Sequence, residues 1–299
     1  MQSTPRLSIR GADLGGRSVE PLYAPRVPAP ASFSAEAFNQ VPESENRIHG
    51  DEIAQAYGFR GGLVPGVSVS ACLLHPAAVA WGRDWLERGH AHVVVRSPLY
   101  DGERFRVEIV GASDTSYYEA RLVVDARETL CATAEVTLPA AAPAPPARRG
   151  DPMLARDAER PLASRDGMEH LRATRLRALR ALWSEAAEIT RYLRDANAMA
   201  PVFRETGLAN PAFVLGLSNW VLGRNVHMPA WLHLETTSQH YRAIERDTEL
   251  VVEAAIADLF EKKGHEFVDV DVAIFGAKDD VAYASVRLRA IYRLRAAIE

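Results

Sequence analysis

A chain of 299 residues, 47% hydrophobic and 25% charged, is long enough to bury a large core. Its net charge of −4 lacks the basic excess of a nucleic-acid binder, so no nucleic-acid partner is expected. Two cysteines, Cys72 and Cys131, match no metal-ligand spacing and read as small buried hydrophobes. The opening "MQSTPRLSIRGADLGG" lacks the apolar stretch of a signal peptide. No run reaches the length of a membrane span, and a cytoplasmic location is the expectation.

Residues 44–66, "SENRIHGDEIAQAYGFRGGLVPG", hold one histidine, His49, and five glycines ahead of an apolar run. Asp51 is expected to cap a helix in this stretch. The apolar run then spaces Leu73, Leu74, Ala77 and Trp81 on one helical face, which predicts a helix beginning near Gly66. Strands follow. Phe105, Val107 and Ile109 alternate with Arg104, Arg106 and Glu108, the period-two pattern of an antiparallel sheet with one wet face.

Residues 139–152, "PAAAPAPPARRGDP", favour extended chain and cannot form a core, so they read as a linker between units 1–138 and 153–299. Beyond it, Leu176, Leu179, Leu182, Trp183, Ala186, Ile189 and Leu193 predict an amphipathic helix over 176–193. Phe213, Leu217, Trp220 and Val221 predict another, beginning near Pro211. Val268, Val270, Val272 and Ile274 alternate with Asp269, Asp271 and Ala273, and the stretch from Ala282 to Ala290 alternates likewise. The two units share an order of features. Residues 62–86 align with 207–232, from Gly-Leu to a closing Trp-Leu, and 94–109 align with 238–254. One long helix wrapped by an antiparallel sheet, twice over, is an α+β architecture.

His227, His233, His240 and His265 share no ligand spacing, so no metal and no cofactor are expected. Taken alone, His49 reads either as a capping residue or as an acid–base group, Asn46 as a loop bridge or a site residue, and the glycines as turn formers.

The pattern Asn46-x-Ile48-His49-x-Asp51, followed by Gly58-Phe59-x-Gly61-x-Leu63-Val64-x-Gly66, resembles the signature of the MaoC-like R-specific enoyl-CoA hydratases. "PLYDGE", from Pro98 to Glu103, resembles that family's turn into a long strand. The resemblance implies a tandem, or double, hotdog fold with the site loop in residues 1–138 and a degenerate second unit. It further implies a hydro-lyase acting on 2-enoyl or 3-hydroxyacyl thioesters of CoA or a carrier protein, and it allows a homodimer of such chains.

In that family an aspartate and a histidine five residues apart share the water, and a backbone N–H at the glycine opening the long helix receives the thioester oxygen. By resemblance, His49 takes the histidine's role, Asn46 the motif asparagine's, and Gly66 or its neighbour the oxyanion donor's. The backbone of Gly62, Val64, Pro65 and Gly66 is expected to face His49 across a tunnel between the units. Ser68, Ser70 and Ala71 are expected to leave room for an acyl tail. The aspartate position holds Ser44, which cannot serve as a carboxylate base. Glu43 and Glu45 flank it as substitutes. The alternatives are a silent acyl-thioester-binding or accessory protein and a thioesterase using Glu43 or Glu45.

Overall fold

The computed structural model describes residues 28–114, 116–186 and 191–295. Strand β1 (Phe33–Glu36) leads through a loop to a 3₁₀ turn at Arg47–His49, then helices α1 (Asp51–Ala56) and α2 (Gly66–Arg88). Four strands follow: β2 (His90–Val95), β3 (Arg104–Asp114), β4 (Tyr117–Val124) and β5 (Thr129–Thr137). Residues 139–152 hold neither helix nor strand. After them come α3 (Arg165–Thr174), β6 (Leu179–Leu182), α4 (Trp183–Ala186), a 3₁₀ turn at Ala196–Ala198, α5 (Pro201–Thr206) and α6 (Pro211–Asn225). Strands β7 (Leu232–His240), β8 (Glu249–Lys262), β9 (His265–Gly276) and β10 (Ala282–Arg293) complete the series. No described helix is long and apolar enough to cross a membrane.

All ten strands join one sheet in the order β1-β3-β4-β5-β2-β7-β10-β9-β8-β6. The seam is β2 against β7, antiparallel from His90↔Gln239 to Val94↔Glu235. On the inner face Val107, Leu122, Ala132, Val270, Val286 and Leu288 are buried in one core with α2 and α6. The outer face carries the alternate residues, and there Arg289 bonds Asp269 and His92 bonds Glu235 across the seam. Period-two patterning therefore sorts apolar from charged side chains strand by strand.

Both long helices are buried on nearly every side, so their apolar residues form no narrow stripe. Cys72 on α2 and Cys131 on β5 are buried free thiols. Helix α2 outlasts α6 because it continues past a break at Gly82, whose φ of 54° is a left-handed conformation suited to glycine. Trp85-Leu86 therefore lies in the last turns of α2, whereas Trp231-Leu232 opens β7, and the end of the internal alignment is out of register.

The helix predicted over 176–193 is not formed. Leu179–Leu182 instead pairs antiparallel with β8, and Trp183–Ala186 makes a single turn. Leu179 and Ala181 pack on the core while Arg180 is exposed, so a free sheet edge wins over helical spacing. Ile189 lies outside the described residues.

The chain entering this second half is clasped to the outer face. Glu253 of β8 is fully buried, and its carboxylate accepts the backbone N–H groups of Arg149 (2.7 Å), Gly150 (2.8 Å) and Asp151 (3.0 Å).

Candidate active site

The loop before α2 is braced at every turn. Asn39 Nδ2 donates to the His49 carbonyl at 2.8 Å, Leu63 N–H to Ile48 O at 3.2 Å, and Gly62 N–H to Asp51 Oδ1 at 2.7 Å. Asp51 thus ties the glycine turn down from the first position of α1, and Gly50, not Asp51, holds the N-cap. Ile48 is wholly buried and anchors the turn that presents His49.

Asn46 fixes this loop to the other half of the sheet. Its Oδ1 accepts Trp231 N–H and its Nδ2 donates to Trp231 O, both at 3.1 Å. The remaining Nδ2 hydrogen faces His49 Nε2 at 3.2 Å. His49 Nδ1 lies 2.7 Å from the Leu63 carbonyl, which can only accept, so Nδ1 carries the proton and Nε2 its lone pair. Burial lowers the His49 pKa from its ordinary value, against the opposing effect of the Leu63 bond. The ring is held neutral, in one tautomer.

Two cavities meet at this ring. The larger, of about 280 Å³, is lined by Val41, Pro65 and Val67 from one half and Ala212, Gly216 and Trp220 from the other. The smaller, of about 140 Å³, is lined by Phe59, Leu63, Val64, Gly66 and Val69 with Leu232 and Leu234. Asn46, His49, Asn219 and Trp231 line both. Ser68, Ser70 and Ala71 are buried instead, with Ser70 donating to Gly66 O and Ser68 accepting Gln40 Nε2.

Helix α2 opens onto the same space. Pro65 O takes the N–H groups of Ser68 and Val69, while those of Gly66 and Val67 have no acceptor among the described residues. These are the free donors that every helix start leaves, aligned with the positive end of its dipole. A side chain at Gly66 would stand 2.8 Å from His233 O on β7, so glycine lets the helix start approach the seam.

The carboxylates stand apart from the ring. Glu43 is exposed. Glu45 lines the larger cavity but is bonded to Arg160 Nη1 at 2.6 Å, and that bond holds its carboxyl below the usual range. Ser44 Oγ donates to Asn46 O at 3.1 Å within its own loop. His49 is joined to none of the three through its ring bonds.

The second half repeats the shape of the loop without its chemistry. Its 3₁₀ turn is preceded by Asp195 with φ −81° and ψ 112°, close to Asn46 at −78° and 87°. The third residue of the turn is Ala198 where the first has His49. The first turn of α6 is capped by Asn210, whose side chain accepts Phe213 N–H at 3.2 Å.

Sequence reasoning missed Asn219, Trp231, Arg160 and Arg224, all beyond the linker and all on the larger cavity. Asn219 Oδ1 accepts His233 Nδ1–H at 2.9 Å, and burial pushes His233 down to about 3, so that ring is neutral. The amide nitrogen of Asn219 has no partner among the described residues. Its signal in the sequence was a polar residue inside the apolar run "AFVLGLSNWVLG". Among the described residues no group of His, Cys, Asp and Glu is arranged to hold a metal.

A methyl group at Gly62 would overlap the His49 carbonyl oxygen and stand 2.8 Å from its carbon. Gly62→Ala should therefore cost about 1–3 kcal/mol in urea unfolding and displace the His49 loop. Gly111→Ala, whose new methyl meets nothing closer than 3.5 Å, should stay within about 0.5 kcal/mol of the parent. An unperturbed Gly62→Ala protein would contradict the braced loop.

No family model and no curated protein sequence matches the chain. Among solved structures, a conserved hypothetical protein of Mycobacterium tuberculosis described as a double hotdog aligns with a TM-score of 0.57. The identity is 16%, over 88% of this chain and 96% of that one. The chain is a double hotdog. A protein of Chloroflexus aurantiacus described as a MaoC-domain dehydratase aligns with a TM-score of 0.51 and 10% identity, over 91% of this chain and 100% of that one. At such identities the likeness of this double hotdog to either protein is one of fold.

Proposed function

We propose that this double hotdog is a hydro-lyase for 2-enoyl or 3-hydroxyacyl thioesters, with His49 as its single acid–base group. The observation that supports this most is a neutral imidazole with its Nε2 lone pair at the junction of two cavities, beside the free N–H groups of Gly66 and Val67. In hydration, Nε2 takes a proton from water as the water oxygen bonds to the β-carbon. Charge moves to the thioester oxygen, which the two N–H groups receive. The imidazolium then returns its proton to the α-carbon, closing the balance with no other group. Asn46 fixes the ring's plane, and its 3.2 Å contact to Nε2 is the one the water displaces.

A second reading, a silent acyl-thioester binder, draws on the same residues. Ser44 stands where the resemblance expects a carboxylate, Glu43 is exposed, and Glu45 is paired with Arg160. A thioesterase using either glutamate has less support, since neither is joined to the ring.

The pH profile tests the first reading. Turnover needs neutral His49, whose pKa is lowered by burial, so the acid limb of kcat/KM for a short 2-enoyl thioester should be centred below the ordinary imidazole value of 6.5. An acid limb centred above pH 6.5, or the same limb in His49→Ala, would overturn the assignment.

A further inference from the structure

The larger cavity holds more unused donors than acceptors. Arg224, in the last turn of α6, donates from Nη2 to Arg156 O at 3.0 Å and has no carboxylate partner among the described residues. A guanidinium carries five N–H donors, so most of its capacity is unspent. Arg160 lies on the same wall, held between Glu45 at 2.6 Å and Gly223 O at 3.1 Å. The Asn219 amide adds a neutral donor. Against them stand the Glu45 carboxylate, already matched by Arg160, and Gln40 Oε1, buried without a partner. Glu45 lies in the field of both arginines, so the wall carries two guanidiniums to one carboxylate, a net positive charge beside Trp220, Trp231 and Met228.

We propose that the part of the ligand lying in this cavity carries a carboxylate, bound by Arg224 with support from Arg160, so that the substrate is the thioester of a dicarboxylic acid. This rests on the thioester reading above and narrows it. The planar fork of arginine matches a carboxylate through two parallel bonds. Arg224 at a helix C-terminus also complements the helix dipole, but that task does not require a place on a cavity wall. A phosphate is the other anion a CoA thioester offers. It sits at the far end of the pantetheine arm, whereas Arg224 lines the same cavity as His49. The acyl carboxylate is the anion that fits.

The test uses the full chain and calorimetry with freshly prepared saturated thioesters, which offer no double bond to hydrate. Butanoyl-CoA is compared with 3-carboxypropanoyl-CoA, and each with its phosphate-free pantetheine counterpart. The carboxylated thioesters should bind about tenfold tighter, as a charge-assisted pair in a partly desolvated site warrants. Arg224→Gln should erase that preference and spare butanoyl-CoA, and Arg224→Lys should restore part of it. Circular dichroism confirms that both variants fold. Equal binding of the two CoA thioesters, unchanged in Arg224→Gln, would overturn the proposal and leave the thioester reading standing. Weakening of both CoA thioesters but of neither pantetheine form would assign Arg224 to phosphate and overturn the proposal as well. If no thioester binds, the thioester reading falls and takes this one with it.

Discussion

His49→Ala should cut turnover of a short 2-enoyl thioester by about 10²–10⁴-fold, the usual contribution of a positioned acid–base group. The fold should survive. The ring makes two hydrogen bonds, while the braces on this loop run through the His49 carbonyl, Ile48 O and Asp51, none of which the substitution removes. An absorbance assay of the conjugated double bond reads the loss directly. Ser44→Asp is the companion. Its carboxylate cannot donate to Asn46 O as the serine hydroxyl does, so repulsion should turn it away from that carbonyl and into the cavity that Ser44 already lines. A hydro-lyase working through His49 alone should gain from a second group on the water. Wild-type hydration that ignores His49→Ala would remove the site assignment altogether. An inert wild type together with an active Ser44→Asp would establish the silent reading.

Glu253→Ala should destabilise the protein by about 3–5 kcal/mol in urea unfolding, among the larger effects of a single substitution. Three consecutive N–H groups lose their acceptor, at about 1–3 kcal/mol for that of buried Asp151 and less for those of the more exposed Arg149 and Gly150. The fully buried carboxylate also accounts for the turn at Gly150, whose φ of 74° aims those donors at one point. Glu253→Gln should recover part of the loss, because its amide keeps one acceptor oxygen. Glu249→Ala, at the exposed start of the same strand, should fall within about 0.5 kcal/mol of the parent. A Glu253→Ala protein as stable as the parent would mean that the clasp contributes nothing.

The fold was legible where pattern and burial coincide. Alternation in β3, β9 and β10 marked strands because successive side chains point to opposite faces of the sheet, the apolar set of each inward onto the helices. One-face spacing marked α2 and α6, and both are helices, although each is buried on nearly every side and shows no narrow stripe. Leu179–Leu182 misled because the same four residues also place Leu179 and Ala181, two apart, on one face of a short strand at a free sheet edge. The site was half legible. Asn46, His49 and the glycine turn lie in one stretch of sequence, so their relation can be read locally. Asn219, Trp231 and Arg224 reach the same cavity through the packing of the two halves, with β2 paired to β7 and α2 against α6. No spacing along the chain encodes that meeting, although Asn219 in the apolar run of α6 hinted at it.

The alanine at position 198 has a consequence for symmetry. In a dimer of identical subunits a two-fold axis forces each position to serve both sites alike, so any residue suited to one task is imposed on the other. Covalent fusion lifts that constraint. Here the turn bearing His49 and the turn bearing Ala198 have the same shape with different contents, and Asn219 and Arg224 come from a helix whose own start is sealed by Asn210. A pseudo-two-fold frame with unlike contents can shape a ligand's two ends separately, one by its reacting atoms and the other by its charge, which two equal copies could not do without compromise.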